Sequence, residues 1–391
     1  MREVVIIDGV RTPIAKSGKS SYFANIRGDE LGAISMKAIV ERNGIDPNII
    51  EDVIWGVTTA ADEMGYDVGR TSNILAGFPL SIPGVQLNRF CSSGLQAIQF
   101  AVSSIASGYG DCMIAGGAEH MTRTPAAKFI KNFHPDMGEF MDMNAFNMGW
   151  TAEFIAREGK ITREEQDEWA ANSHWKAAKA TKEGLFKREI IPVEADVPQK
   201  DGNTERMLIE TDQGVRGNIT METLASLPTV FAADDLATVT AGNASQTNDA
   251  SSAVLVMSMD KAKELGLKPR LKMLSFKVVA MDPRYTMDGP IYAIPEALKR
   301  AGLTRDDIGV WEVNEAFASQ SVRCQKILGY PKERLNMRGG GISLGHPLAC
   351  SGARMTATLM NIMDDMDAKY GVVAMCAAVG QGAAAVFERI K

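Results

Sequence analysis

The chain repeats a plan. Glu41-Arg-Asn-Gly-Ile45 leads through Ile50 to an apolar run around Trp55, and Lys299-Arg-Ala-Gly-Leu303 leads through Ile308 to another around Val313. Aligned on Gly44 and Gly302, the two isoleucines coincide and Asn314 falls opposite Gly56. Cys91-Ser-Ser-Gly-Leu opens one helical pattern and Cys350-Ser-Gly-Ala-Arg opens another, and each leads on to a strand pattern and a Gly-rich turn. A single match of this kind arises by chance between any two α/β segments; three in the same order indicate duplication. At 391 residues the chain also exceeds what one hydrophobic core usually organises, so two related halves are expected.

Within the first half, Val4–Ile7 reads as a short buried strand. Asp29 is placed to cap a helix whose apolar positions Leu31, Ile34, Ala38 and Ile39 share a face and which ends near Gly44. Val53–Trp55 reads as a strand, 91–108 as a helix, and Cys112–Ala115 as a strand ending at Gly116-Gly117. This alternation predicts an α/β fold with a mostly parallel sheet covered by helices. Residues 121–246 differ, being rich in Met, Lys, Asn and Asp with a polar stretch at Val197–Arg206; they read as a loop-rich insertion laid over the first half. Inside it Thr162-Arg-Glu-Glu165 is a capping box for a helix that stops near Gly184. The expected organisation is an N-terminal half over 1–120 completed by 247–269, an inserted segment over 121–246, and a C-terminal half over 270–391.

The bulk properties exclude several classes. Hydrophobic content of 45% and charged content of 23% are those of an ordinary globular protein. A net charge of −6 argues against nucleic acid as the main partner, which needs a basic face. The five cysteines, Cys91, Cys112, Cys324, Cys350 and Cys376, are an odd number without CxxC spacing, which fits neither a disulfide framework nor a zinc site and points to a reducing compartment. The start of the chain lacks the zones of a signal peptide, its last residues make no peroxisomal address, and no apolar stretch is long enough to span a bilayer. A cytoplasmic protein without membrane insertion and without a metal site is expected.

Four stretches carry chemistry. In Asn88-Arg-Phe-Cys91-Ser-Ser-Gly94 a cysteine precedes a helix, where unpaired N–H groups and the helix dipole favour thiolate over thiol. A cysteine in that place is more often a small buried hydrophobe, so the stretch alone does not identify a nucleophile. Arg338-Gly-Gly-Gly-Ile-Ser-Leu-Gly345-His346-Pro347 sets an imidazole on a tight turn, suited to accept a thiol proton; a phosphate-cradling loop or a plain turn would read the same way. Met375-Cys376-Ala-Ala-Val-Gly380 is a strand feeding a Gly turn, its cysteine either an acid/base or packing. In Glu312-Val-Asn314-Glu315 an apolar strand ends in polar residues that need partners, a water or a ligand.

Together these stretches resemble the thiolase family over essentially the whole chain. Further matches are Val10-Arg-Thr-Pro13, Ala115-Gly-Gly-Ala-Glu119-His-Met, Met148-Gly-Trp-Thr-Ala-Glu153, Val239-Thr-Ala-Gly-Asn-Ala-Ser245 and Asn314-Glu-Ala-Phe317. The resemblance implies a duplicated αβαβα five-layered core, an inserted loop domain over the active site, and dimers or tetramers. It implies that Cys91 carries the acyl group, and that His346 activates it and forms one oxyanion hole with a water held by Asn314. Cys376 would move the substrate α-proton, and the backbone N–H groups of Cys91 and Ala378 would form a second hole. It places Arg216 near the adenine end of coenzyme A, Ser245 near the pantetheine, Ala241, Ala244, Ala316 and Phe317 along the pantetheine tunnel, and Met148 in the acyl pocket. Thr223 stands where a serine is common. Coenzyme A and acyl-CoA thioesters would be substrates, with no tightly bound cofactor and a possible partner in a β-oxidation complex.

The departures bear on substrate. Asn147 replaces a histidine typical of short-chain biosynthetic members, and Asn132-Phe-His-Pro135 and the tail from Gly380 resemble the degradative 3-ketoacyl-CoA branch. Ala377-Ala-Val379 stands where glycines are usual. A biosynthetic acetyl-CoA acetyltransferase is the nearest alternative, and a catalytically silent CoA-binding subunit an alternative of another class.

Overall fold

Two copies of one strand–helix pattern build a single continuous sheet. The computed structural model describes residues 2–125 and 133–391; Asn132 lies outside the described residues. The first half contains β1 (Val4–Arg11), β2 (Ala15–Lys16), α1 (Gly28–Asn43), β3 (Asp52–Gly56), α2 (Val68–Leu75), β4 (Val85–Leu87), α3 (Ser93–Ala106) and β5 (Cys112–His120). Next come α4 (Met148–Glu158), α5 (Arg163–Lys182), β6 (Val193–Pro198), β7 (Thr204–Ile209) and α6 (Met221–Ala225). The chain returns through β8 (Asn248–Ser258) and α7 (Met259–Glu264) to β9 (Leu271–Ala280), α8 (Gly289–Ala301), β10 (Val310–Val313), α9 (Ala318–Leu328), α10 (Ser351–Asp365), β11 (Tyr370–Ala377) and β12 (Gln381–Arg389).

The strand order is β10-β11-β12-β9-β1-β8-β5-β3-β4. Read outward from the middle, β1-β8-β5-β3 and β9-β12-β11-β10 are the same series. In each, the first two neighbours pair antiparallel and the last pair is parallel. Even the edge corresponds: β3 pairs with β4, and Trp311 of β10 bridges to Leu335 in the same parallel sense. The halves meet at one ladder pair, Ile6 with Leu271. The sheet is therefore mixed, with more antiparallel pairing than helix–strand alternation suggests, because β8 and β12 each run against both neighbours.

Burial sorts the helices into layers. One core holds Leu95, Ile98 and Ile105 of α3 and Leu359, Met360 and Met363 of α10 between strand residues of both halves, such as Val254 and Phe387. A second packs Met36 and Ile39 of α1 on Trp55 and Leu255, and a third packs Ile294 and Leu298 of α8 on Trp311 and Val386. The result is five layers with α3 and α10 in the middle, and α10 is buried on every side from Ser351 to Met363. These two helices touch backbone to backbone where they begin. A Cβ on Gly94 would stand 2.5 Å from the Ala349 carbonyl oxygen, and one on Gly352 2.4 Å from the Leu95 nitrogen. The glycines shared by the two repeats thus bring two helix starts, one from each half, to one place.

Several local expectations change. The helix after Ile26 is capped by Arg27, not Asp29, which lies in the first turn and pairs with the Arg27 guanidinium at 2.8 Å. β1 continues to Arg11, and β5 runs through Gly116-Gly117 to His120, because a side chain at Gly116 would collide with the Ser252 carbonyl and the Trp55 ring. The polar stretch Val197–Arg206 is the tip of a β6–β7 hairpin. The Thr162–Glu165 capping box forms, and its helix ends at Lys182 with Glu183 as C-cap. No helix among the described residues is long and apolar enough to cross a membrane.

Candidate active site

Cys91 lies two residues ahead of α3, held in a turn whose preceding residue, Phe90, has φ 49°. It is buried. The expectation that the helix start would favour its thiolate does not hold: burial raises its pKa well above that of an ordinary thiol, helped by the nearby Cys376 and Glu119, and its own N–H offsets little of this. Desolvation wins because a helix start contributes only about 1 kcal/mol, whereas removing an anion from water costs several. Cys376, the penultimate residue of β11, is pushed up to about 12 by burial, with Cys324 adding to it. Its Sγ faces the Gln320 carboxamide oxygen at 3.8 Å.

The imidazole of His346 is placed by three contacts. Its backbone N–H donates to Asn248 Oδ1 at 2.8 Å, while Asn248 Nδ2 donates to the Ala15 carbonyl at 2.9 Å. Ring Nδ1 lies 2.6 Å from Ser351 Oγ, and ring Nε2 lies 3.3 Å from Asn314 Nδ2. Burial, and next the Arg354 charge, lower the His346 pKa to about 3. At neutral pH the ring is therefore uncharged and able to take a proton, and both thiols are protonated. A neutral resting site whose groups ionise only as bonds form suits transient proton transfer from thiol to imidazole.

Glu119 ties the halves together beneath the site. Fully buried on β5, it accepts N–H groups of Thr58, Thr59 and, across the molecule, Ala349, at 3.1, 3.0 and 3.2 Å. Burial raises its pKa against these donors. Glu315, beside Asn314, is fully used by protein partners: Trp169, Ser173 and Asn336 donate to it. The Val10–Pro13 stretch is likewise structural, since Arg11 forms a buried fork with Asp212 at 2.7 and 3.0 Å and bonds Glu189 at 2.9 Å. Glu153 of α4 holds the Thr238–Val239 backbone at 2.8–3.1 Å and so sets the course of the 239–245 stretch.

Of the expected binding residues, one apolar cluster gathers Met148, Ala244, Ala316 and Phe317 around Cys376 with Ala152, Ile155, Val239 and Met287. Ala244 bridges Phe317, and the Ser245 N–H donates to the Ala316 carbonyl at 2.9 Å. Ala241 is exposed at the edge of this segment. Arg216 is exposed and its N–H donates to His174 Nδ1 at 3.1 Å; Thr223 is exposed on α6 with its hydroxyl on the Thr220 carbonyl. Ala378 is the half-buried first residue of the β11–β12 turn, and Val379 after it has φ 61°. Ser351, Gln320 and Asn248 escape sequence reasoning. Ser351 alone left a trace, as a hydroxyl five residues after the histidine at a helix start.

A duplicated five-layer fold whose two halves bring a cysteine-bearing helix start and a Gly-His-Pro turn together defines a thiolase, and the chain belongs to that family. The model of the thiolase N-terminal domain matches residues 4–260 and that of the C-terminal domain residues 267–389. The chain is 44% identical over 394 residues, all of both chains, to a 3-ketoacyl-CoA thiolase of Idiomarina loihiensis. It is 43% identical over 392 residues, 99% of this chain and 100% of the other, to a 3-ketoacyl-CoA thiolase of Bacillus subtilis. Among solved structures it is similar to the Bacillus anthracis acetyl-CoA acetyltransferase, with a TM-score of 0.90 and 33% identity over 100% of this chain and 99% of that one.

Proposed function

We propose that this chain is a 3-ketoacyl-CoA thiolase acting in the thiolytic direction. The carrying observation is the placement of His346 between Ser351 and Asn314 in a site that also buries Cys91 and Cys376. His346 takes the Cys91 proton as the sulfur adds to the 3-keto carbon. The bond between the substrate's C2 and C3 then breaks, leaving an acyl thioester on Cys91 and the carbanion of acetyl-CoA, which the Cys376 thiol protonates. A second coenzyme A thiol gives its proton to the Cys376 thiolate and attacks the thioester; acyl-CoA leaves, and the released Cys91 sulfur takes back the proton held by His346. Each addition develops an oxyanion; the His346–Asn314 pair serves one, and the N–H groups of Cys91 and Ala378 the other. Coenzyme A is substrate here, and these side chains need no tightly bound cofactor.

The Met148, Ala244, Ala316 and Phe317 cluster supports an apolar wall for pantetheine and acyl chain beside Cys376. Ser245, Ala241 and Thr223 extend that path outward, with Arg216 at the polar end and the 121–246 segment as its cover. A cytoplasmic homodimer or homotetramer, open to a β-oxidation partner, completes the reading. The likeness to an acetyl-CoA acetyltransferase favours a second reading, synthesis of acetoacetyl-CoA on the same groups. Steady-state kinetics over 3-ketoacyl-CoAs of increasing length decide between them: higher kcat/KM on longer substrates supports the first, activity confined to acetoacetyl-CoA the second. Coenzyme A binding without turnover of any of them removes both.

A further inference from the structure

Behind the imidazole runs a second pair of residues in parallel with the first. On α10, Ser351 and Arg354 are three residues apart and share a face. On β10, Glu312 shares the inward face of Val310, two residues before Asn314. The first rung is Asn314–His346–Ser351, with contacts of 3.3 and 2.6 Å. The second is Glu312–Arg354, with Oε2 and Nη1 3.9 Å apart, beyond hydrogen-bond reach.

Arg354 and Glu312 are almost completely buried in the central layer. Arg354 Nε, Nη1 and Nη2, Glu312 Oε1 and Asn314 Oδ1 all lack a protein hydrogen-bond partner among the described residues. Buried polar atoms are rarely left unpaired; where protein does not serve them, ordered water does. A buried arginine and carboxyl held apart in a core contribute little to stability, and apolar residues of similar volume would pack there at least as well. Stability alone therefore does not account for a guanidinium behind the histidine.

We propose that Arg354 is a positioning residue for acyl transfer: with Glu312 it anchors a buried water cluster that backs the His346–Asn314 pair and sets the electrostatic field at the imidazole. A fixed cation there disfavours a second positive charge on His346, in line with the depressed value noted above. Arg354 is the charged group that acts on the ring, Glu312 of β10 acts on Arg354, and Glu119 of β5 and Cys376 of β11 act on Cys91 ahead of α3. Arg354 itself also senses Arg11 and Glu189. Glu312 is pushed up to about 8 by burial, with Arg354 opposing, so through the acid limb it is protonated and the Arg354 charge stands uncompensated.

This inference rests on His346 being the base, and the experiment separates the two. The pH dependence of kcat/KM for acetoacetyl-CoA is measured on the full-length enzyme and on Arg354→Met, Arg354→Lys, Glu312→Gln and His346→Ala. Loss of the Arg354 charge should raise the acid limb by at least about half a pH unit, while Arg354→Lys keeps it near wild type at lower kcat. Glu312→Gln, neutral like the protonated carboxyl present through the acid limb, should not move the limb upward. A cooperatively folded Arg354→Met enzyme with the wild-type acid limb overturns the proposal, as does an upward shift in Glu312→Gln. If Arg354→Met does not fold, Arg354→Met/Glu312→Gln, with neither group ionisable, takes its place under the same criterion. Full activity in His346→Ala removes the base itself.

Discussion

Glu119 of the first half accepts the backbone N–H of Ala349 from the second at 3.2 Å, three residues beyond the histidine. The bond fixes the loop that carries His346 to β5 beside Cys91, so one carboxylate adds both to the position of the site and to the joining of the halves.

Glu119→Ala leaves the N–H groups of Thr58, Thr59 and Ala349 buried and unpaired. Stability should fall by about 3 kcal/mol, with turnover falling further than the residual folded fraction explains. Denaturant unfolding and activity on the same samples check this; unchanged midpoints would show that the loop is held by other contacts.

Cys91→Ala should melt within a few degrees of the wild type and form no acyl adduct with acetyl-CoA, as read by intact-protein mass spectrometry. Cys376→Ser should still form the adduct and lose carbon–carbon cleavage by at least about a hundredfold, the usual scale of general acid–base catalysis. Equal losses in both half-reactions would contradict the division of labour between the thiols.

Burial, then the charges of Arg216 and Lys16, push His174 down to about 4. A histidine takes up its proton near pH ~6.5 when unfolded, so the native state binds fewer protons between those values. The stability from this depressed group is fully present above about 6.5 and is lost as pH falls to about 4, a total of about 3 kcal/mol. His346, lowered to about 3, acts with the same sign. His174→Gln should therefore flatten the decline of Tm between pH 7 and 4.5; a slope equal to the wild type's would place the acid sensitivity elsewhere.

Val379 holds φ 61°, where a β-branched side chain costs about 1–2 kcal/mol. Val379→Gly relieves that strain against a smaller entropic loss, so stability should hold or rise rather than fall. The same variant should change the ratio of kcat/KM between short and long 3-ketoacyl-CoAs, since the turn borders Ala378. A stability loss above about 1 kcal/mol, with an unaltered ratio, would mean that the valine side chain packs productively.

The duplication, the α/β class and the four chemical stretches were all legible in the residues, because repeats, periodicity and glycine turns are local patterns. The chemistry of Cys91, His346, Cys376 and Asn314 needed the family resemblance, since each stretch alone reads equally well as packing or a turn. Their electrical state was not legible: a helix start argues for thiolate, and only the depth of the five-layer core shows that desolvation outweighs it. Nor were Asn248, Gln320 or the Glu312–Arg354 rung, whose partners lie on other elements. Patterning along the chain determined which elements form and that they form twice. Which side chains meet was decided by the contacts of Gly94 with Ala349 and of Gly352 with Leu95, because close packing of two helices from distant parts of the chain is a property of the assembled layers.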